Sequence, residues 1–259
     1  GAEFVEVNLT KIKNKSLAGA DLSSTSFAYS NLSGVSLAGA ILELNNFLHA
    51  DLSGLDFTVT DVVADGLIFV KSNLSNSNFE GVDLSPKEQH VQVFKNKAHL
   101  MRGVTQSHEA EAMITDELRL SMPSYMVKVV SAEVRGNDLA INYVYFNHFD
   151  EANLKNANFK NTKLLYASFH KANLTNADLS GAELLKAFLG MADLTNADLN
   201  GAILHGASLR EADLTNADLT NADLTYADLS GAILTGANLE NAVLTNAILN
   251  CVGHPICIS

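Results

Sequence analysis

The residues best suited to chemistry are eight histidines, two cysteines and many aspartates, and their spacing serves no standard reaction. His90, His99 and His108 stand nine apart, which puts them on no common helix face and matches no zinc pattern. His254 lies between Cys251 and Cys257, but the spacing is wrong for a zinc knuckle. The cysteines read as free thiols in a reducing compartment, in preference to a short-loop disulfide. Serine and threonine are abundant, yet no GxSxG, HExxH or Gly-rich phosphate loop occurs. Aspartates at fixed intervals could imitate an acid pair, but a repeat explains their spacing without catalysis. This chain is therefore expected to be no enzyme and to need no cofactor or metal. Whether a longer parent carries a catalytic domain elsewhere stays open.

The elements that must hold these residues follow a period of five. Leu or Phe falls at 149, 154, 159 and every fifth position to 249. Two residues earlier stands Ala, except for Asn147 and Thr162. A helix places apolar residues every 3.6 positions and a strand every 2, so neither fits. A chain that turns a corner every five residues does fit, tucking one large and one small apolar side chain inward each time. An earlier stretch keeps the period from Leu17 to Phe57, and Leu74, Phe79 and Leu84 keep it shifted by two. A bulge or short loop is expected within 61–71. Phe4 and Leu9 stand in a third register, with an insertion before Leu17.

Tandem A(D/N)LxX units of this kind resemble the pentapeptide-repeat family. The resemblance implies an all-β solenoid, a right-handed quadrilateral β-helix with four pentads to a coil. Its central Leu or Phe and preceding Ala would point inward. On that basis 1–84 and 149–249 are two runs of coils, 85–148 is a non-repeat insert, and 250–259 is a tail. The insert reads as a small α+β excursion. A capped amphipathic helix opens at Ser107 and runs through Met113 and Ile114 to Leu118. Residues 126–134 and 139–146 flank a turn cluster as a hairpin.

Charge and surface narrow the function. The net charge is −12. The first run of coils holds 4 basic against 10 acidic residues and the second 6 against 12. Direct nucleic-acid binding is disfavoured, because phosphate contacts need a basic stripe. No apolar run is long enough to span a membrane, and no signal peptide opens the chain. Cytoplasmic location, or secretion into a host cell without a cleaved signal, is expected.

Outward positions place Asp178, Asp198 and Asp218 on one acidic face and Asp193 and Asp213 on the next. Ile233, Val243 and Ile248 form a terminal apolar patch, to be covered by the tail, a following domain or a second copy in a dimer. Tyr143, Tyr145 and Phe146 give the insert its aromatic surface.

Three readings follow. The first is a rigid protein–protein interaction scaffold, a module of a larger bacterial protein. The family resemblance extends this to secreted effectors, including the targeting segment of a HECT-like ubiquitin ligase. The second is a gyrase-binding DNA mimic, as in quinolone-resistance members of the family. The third is an enzymatic site in the insert, against which the aromatic triplet reads better as a small core or a docking knob.

Overall fold

The computed structural model describes residues 2–62, 66–87, 90–94, 127–135 and 138–258. The period of five becomes a corner by one repeated device. The Leu174 carbonyl accepts the Ala177 N–H at 2.9 Å, and Asn176 between them has φ +56°. A positive φ at the third position is the pattern of a type II turn. Every corner from Glu151 to Asn246 has such a residue, most often Asn or Gly. Those two tolerate the left-handed region best, which explains the closing Asn or Gly of so many pentads.

Four corners close a coil, because bridged residues lie twenty apart: Asn153↔Asn173, Asn158↔Asp178, Lys163↔Glu183 and Ser168↔Phe188, all parallel. Between coils the Leu174 N–H donates to the Asp193 carbonyl at 2.7 Å, and the Asp193 N–H to the Ala172 carbonyl at 2.9 Å. The Asn176 N–H donates to the Thr195 carbonyl at 3.0 Å. The backbone polar groups of each pentad are thus spent on the turn and the next layer. The interior is apolar: Leu174, Leu194, Leu199 and Leu214 are fully buried, with Ala172, Ala177 and Ala197 beside them.

Three irregularities leave the ladder in phase. Glu3↔Ser26 are 23 apart, the extra residues forming 3-10 turns at Leu9–Lys11 and Lys13–Lys15. Asn46↔Ile68 are 22 apart, so two residues are added after the short pairing of β1 (Ile41–Leu42) with β2 (Asp61–Val62). Ile68↔His148 and Asp83↔Lys163 are 80 apart, so the insert leaves and re-enters within a single coil. Phenylalanines cross that gap as a ladder of stacked rings, Phe4, Phe27, Phe47, Phe69, Phe149 and Phe169, with centroids 4.8–5.4 Å apart.

The insert builds an antiparallel sheet from β3 (His90–Phe94), β4 (Val127–Arg135) and β5 (Asp138–Tyr145), with β5 central. β4 and β5 form the expected hairpin. β3 was not foreseen, since five residues between polar flanks carry too short a pattern. The helix expected over 107–118 and the histidines at 99 and 108 lie outside the described residues. Leu139, Ala140, Tyr143 and Val144 are all buried, so both faces of β5 are covered. The sheet docks where Gly66 leaves room: a Cβ there would come 3.0 Å from Leu44 Cδ2 and 3.3 Å from Tyr145 Cβ, at φ +67°.

The cysteines differ from expectation. Cys251 and Cys257 form a disulfide, with Cα atoms 5.0 Å apart. The tail bends back through Gly253 and Pro255 until the Ile258 N–H reaches the Leu249 carbonyl at 2.9 Å, which brings the sulfurs together over the last coil.

Candidate docking face

One side of the rod departs from the repeat. Its outward residues are Asn46 and Leu48, then Ile68 and Val70, then His148 and Asp150, followed by Ser168, His170 and Phe188. They flank the inward phenylalanines, and the insert returns to the coil here through Phe146. The Phe146 ring lies 4.3 Å from His148 and 6.3 Å from Phe188.

At its centre Asp150 Oδ1 accepts the Ser168 hydroxyl and, at 3.0 Å, the His170 backbone N–H. Its Oδ2 lies 3.7 Å from His148 Nδ1. Burial by itself would raise the Asp150 carboxyl, but His148, Ser168 and the His170 N–H outweigh it and hold the group below the usual aspartate range. The residue types are those of a hydrolase triad, but the connections differ. The serine proton is committed to the carboxylate, whereas a nucleophile would give it to an imidazole. The cluster anchors structure. Beside it runs a cleft of about 400 Å³, walled by Leu48, Ile68 and Val70 on one side and His148, Asp150 and His170 on the other.

The repeat model described as pentapeptide repeats matches eight copies, over residues 20–61, 152–190, 192–225 and 222–252. That is more than half of the chain. This chain belongs to the pentapeptide-repeat family. Among solved structures it is similar to HetL, a pentapeptide-repeat protein involved in heterocyst differentiation regulation from Nostoc sp. strain PCC 7120. The two are 22% identical over 100% of this chain and 92% of that one, with TM-score 0.35. Rfr23 from Cyanothece 51142 is 38% identical over 39% of this chain and 64% of its own, with TM-score 0.26. QnrB1, a plasmid-mediated fluoroquinolone resistance protein, is 16% identical over 98% and 87%, with TM-score 0.34. At these TM-scores the superpositions carry no argument, and the fold rests on the ladder above. No curated protein matches the sequence.

In this pentapeptide-repeat protein the acidic columns are turn locks. Asp178, Asp198 and Asp218 each accept, through Oδ1, the backbone N–H two residues on, at 2.9 Å from Ser180, Asn200 and Thr220. Asp193 and Asp213 do the same to Thr195 and Thr215, at 3.0 and 2.9 Å. Burial tends to raise Asp193, and the bonds from Thr195 and Thr175 more than offset it, so its carboxyl is lowered. Layers about 4.8 Å apart stack these carboxylates in columns whose second oxygen is not used by the turn. Side-chain amides form a further column, Asn76, Asn156, Asn176, Asn196 and Asn216, bonded each to the next at 3.1–3.3 Å.

The remaining expected residues divide. Tyr143 and Phe146 are buried, which removes them as direct anchors for a partner and leaves half-buried Tyr145. Burial, with help from Tyr145, pushes the Tyr143 hydroxyl up to about 12. Ile233, Val243 and Ile248 are 38%, 46% and 47% exposed, so the tail leaves this patch open. His254 Nδ1 accepts the Ile256 N–H at 3.3 Å, and both sulfurs are in the disulfide. Among the described residues no group of three or more His, Cys, Asp or Glu is placed to hold a metal. None of their helices is long and apolar enough to cross a membrane. His148, Asp150, His170 and Phe188 were not singled out from sequence. His148 and Phe188 carried a signal, because they depart from the A(D/N)LxX unit at its Asp/Asn position, whereas Asp150 and His170 fill its open x position and carried none.

Proposed function

We propose that this rod is a rigid scaffold for protein–protein interaction, and that its docking face is the side to which the insert 85–148 returns. The observation that carries this reading is the contrast between sides. The acidic columns spend their Asp and Asn side chains on the coil's own turns. The insert side instead presents a cleft with an aliphatic wall, Leu48, Ile68 and Val70, beside a fixed carboxylate and imidazoles. Apolar anchors ringed by polar groups are what specific recognition uses. The right-handed sense of the coil is carried over from the family. Disulfides persist in oxidising compartments, so Cys251–Cys257 favours such a location over the cytoplasm. That location weighs against gyrase as a target, as does the turn-locking role of the aspartates. Membership of a larger effector or ligase is the extension of the same reading.

The test is excision. Removing residues 87–146 joins Pro86 to Asn147 and restores a five-residue step from Leu84 to Phe149. Pro86 then occupies a positive-φ corner that proline cannot adopt, so the variant also carries Pro86→Asn. A folded rod that loses the partner captured by the full chain supports the proposal. Retained capture removes the insert from the docking surface but leaves the cleft, none of whose lining residues is cut out; capture that also survives Val70→Asp transfers docking to the acidic columns, and protection of gyrase from quinolones in a supercoiling assay replaces the reading.

A further inference from the structure

One corner of the rod carries a side-chain column with a missing rung. Successive coils place Tyr166, Lys186, Gly206 and Tyr226 at the same turn position, with φ +63°, +54°, +65° and +59°. The Lys186 ammonium lies over the Tyr166 ring, 5.9 Å from its centroid. Tyr226 is 59% exposed and meets the His205 ring edge-on at 5.5 Å. Gly206 contributes nothing between Lys186 and Tyr226. The result is a notch of about 350 Å³ whose walls are Lys186, Phe188, His205, Ser208 and Tyr226.

The notch is one layer high, about 4.8 Å. That separation lies within the roughly 4.5–7 Å at which aromatic rings stack. The same molecule shows the geometry at an equivalent corner, where Tyr29 stacks on His49 at 4.8 Å and 14°. A flat ring at the level of Gly206 would repeat that stack on Tyr226. Its other face would meet Lys186, as Tyr166 already does. Lys186 lines the notch, so an anionic group on the ring is directed towards its ammonium.

We propose that the notch at Gly206 binds a planar aromatic ring bearing a carboxylate, with the ring in the missing rung between Lys186 and Tyr226. This site lies apart from the cleft beside Asp150 and stands independently of the docking reading.

Benzoate is the probe, followed by amide NMR on the full chain. Saturable shifts centred on Gly206 and Tyr226 are expected. Benzyl alcohol, which lacks the charge, should bind roughly two- to fivefold more weakly, and Lys186→Gln should lower benzoate affinity by a similar factor. Cyclohexanecarboxylate, which keeps the charge but is not flat, should give no saturable shift at Gly206. Gly206→Tyr should abolish benzoate binding while the remaining amide spectrum stays folded. The corner already holds Tyr166 and Tyr226 at the same φ, and a Cβ on Gly206 would meet only Lys186 Cγ, at 3.5 Å. The proposal is overturned by the absence of saturable shifts with benzoate, by equal binding of cyclohexanecarboxylate, or by a folded Gly206→Tyr protein that binds as the parent does.

Discussion

Replacing Asn147 by Ala probes the point where the coil is cut. Ala stands at the equivalent position of every later pentad up to Leu249 except that of Thr162, so the smaller side chain fits the space. What disappears is polar. Asn147 Nδ2 donates to the Leu84 carbonyl at 2.8 Å, and its Oδ1 accepts the Leu67 N–H at 2.9 Å. Elsewhere a corner carbonyl takes the N–H three residues ahead. Leu84 lacks that partner because the chain departs into the insert, and Leu67 lacks its own because two extra residues precede it. One buried amide repairs both defects. Each orphaned backbone group costs about 1–3 kcal/mol, so the loss is about 2–6 kcal/mol, smaller if water reaches the junction. Unfolding of a repeat array need not be all-or-none, so the sharper assay is local. Hydrogen exchange at the Leu67 amide should accelerate by at least about tenfold, while Leu199 and its neighbours keep their protection. Unchanged exchange at Leu67, together with an unchanged urea melt, would refute the stapling role.

Leu199→Ala should cost about 2–5 kcal/mol, whereas Asp198→Ala, which gives up its bond from the Asn200 N–H but leaves no cavity, should cost only about 0.5–1.5 kcal/mol; equal thermal midpoints would reverse the inward and outward assignment. Asp150→Asn should flatten the acid limb of stability. The depressed carboxyl stabilises fully above the ordinary aspartate value of about 3.9 and loses that contribution as pH falls through its lower folded value, so a pH series of urea melts in which the two proteins run parallel between those two values would count against the cluster. Reducing Cys251–Cys257 should speed exchange where the tail is bonded to the last coil, at the amides of Leu234, Val252 and Ile258, and leave Leu174 protected; uniform loss along the rod would contradict nearest-neighbour stability.

The coils were legible because their physics is periodic. An inward Leu every fifth residue determines the corner, and the shift between Phe57 and Leu74 announced two added residues. What was not legible depended on partners distant in the chain. The role of Asn147 needs Leu67 and Leu84, 80 and 63 residues away. β3 is recognisable only beside β5. The cysteines could not be paired from spacing, since the pairing depends on how the tail bends over the final coil. At the candidate face the departures from the repeat were visible, but nothing in the sequence said that Asp150, Ser168 and His148 converge. Tyr143 and Phe146 could be read as a small core or as a docking knob; Tyr143 is buried because both faces of β5 are covered, and Phe146, one residue past the strand, because it packs on His148.

The jump from Ile68 to His148 also bears on how the chain finds its form. Most rungs join residues twenty positions apart, so each coil closes a short loop against one already in place. At the insert the same closure spans 80 residues. Loop entropy grows only with the logarithm of length, so this fourfold increase adds about 1.2 kcal/mol to one step. The rod is therefore expected to assemble as two growing zippers, one on each side of that rung. Their junction would wait on a single search, in which Phe149 finds Phe69 and extends the ring stack. A ribosome delivers the early coils first, leaving Phe69 and Leu74 as an open edge until some 80 further residues emerge. During that interval the insert, rather than the coils, sets how long a sticky sheet edge stays unpaired.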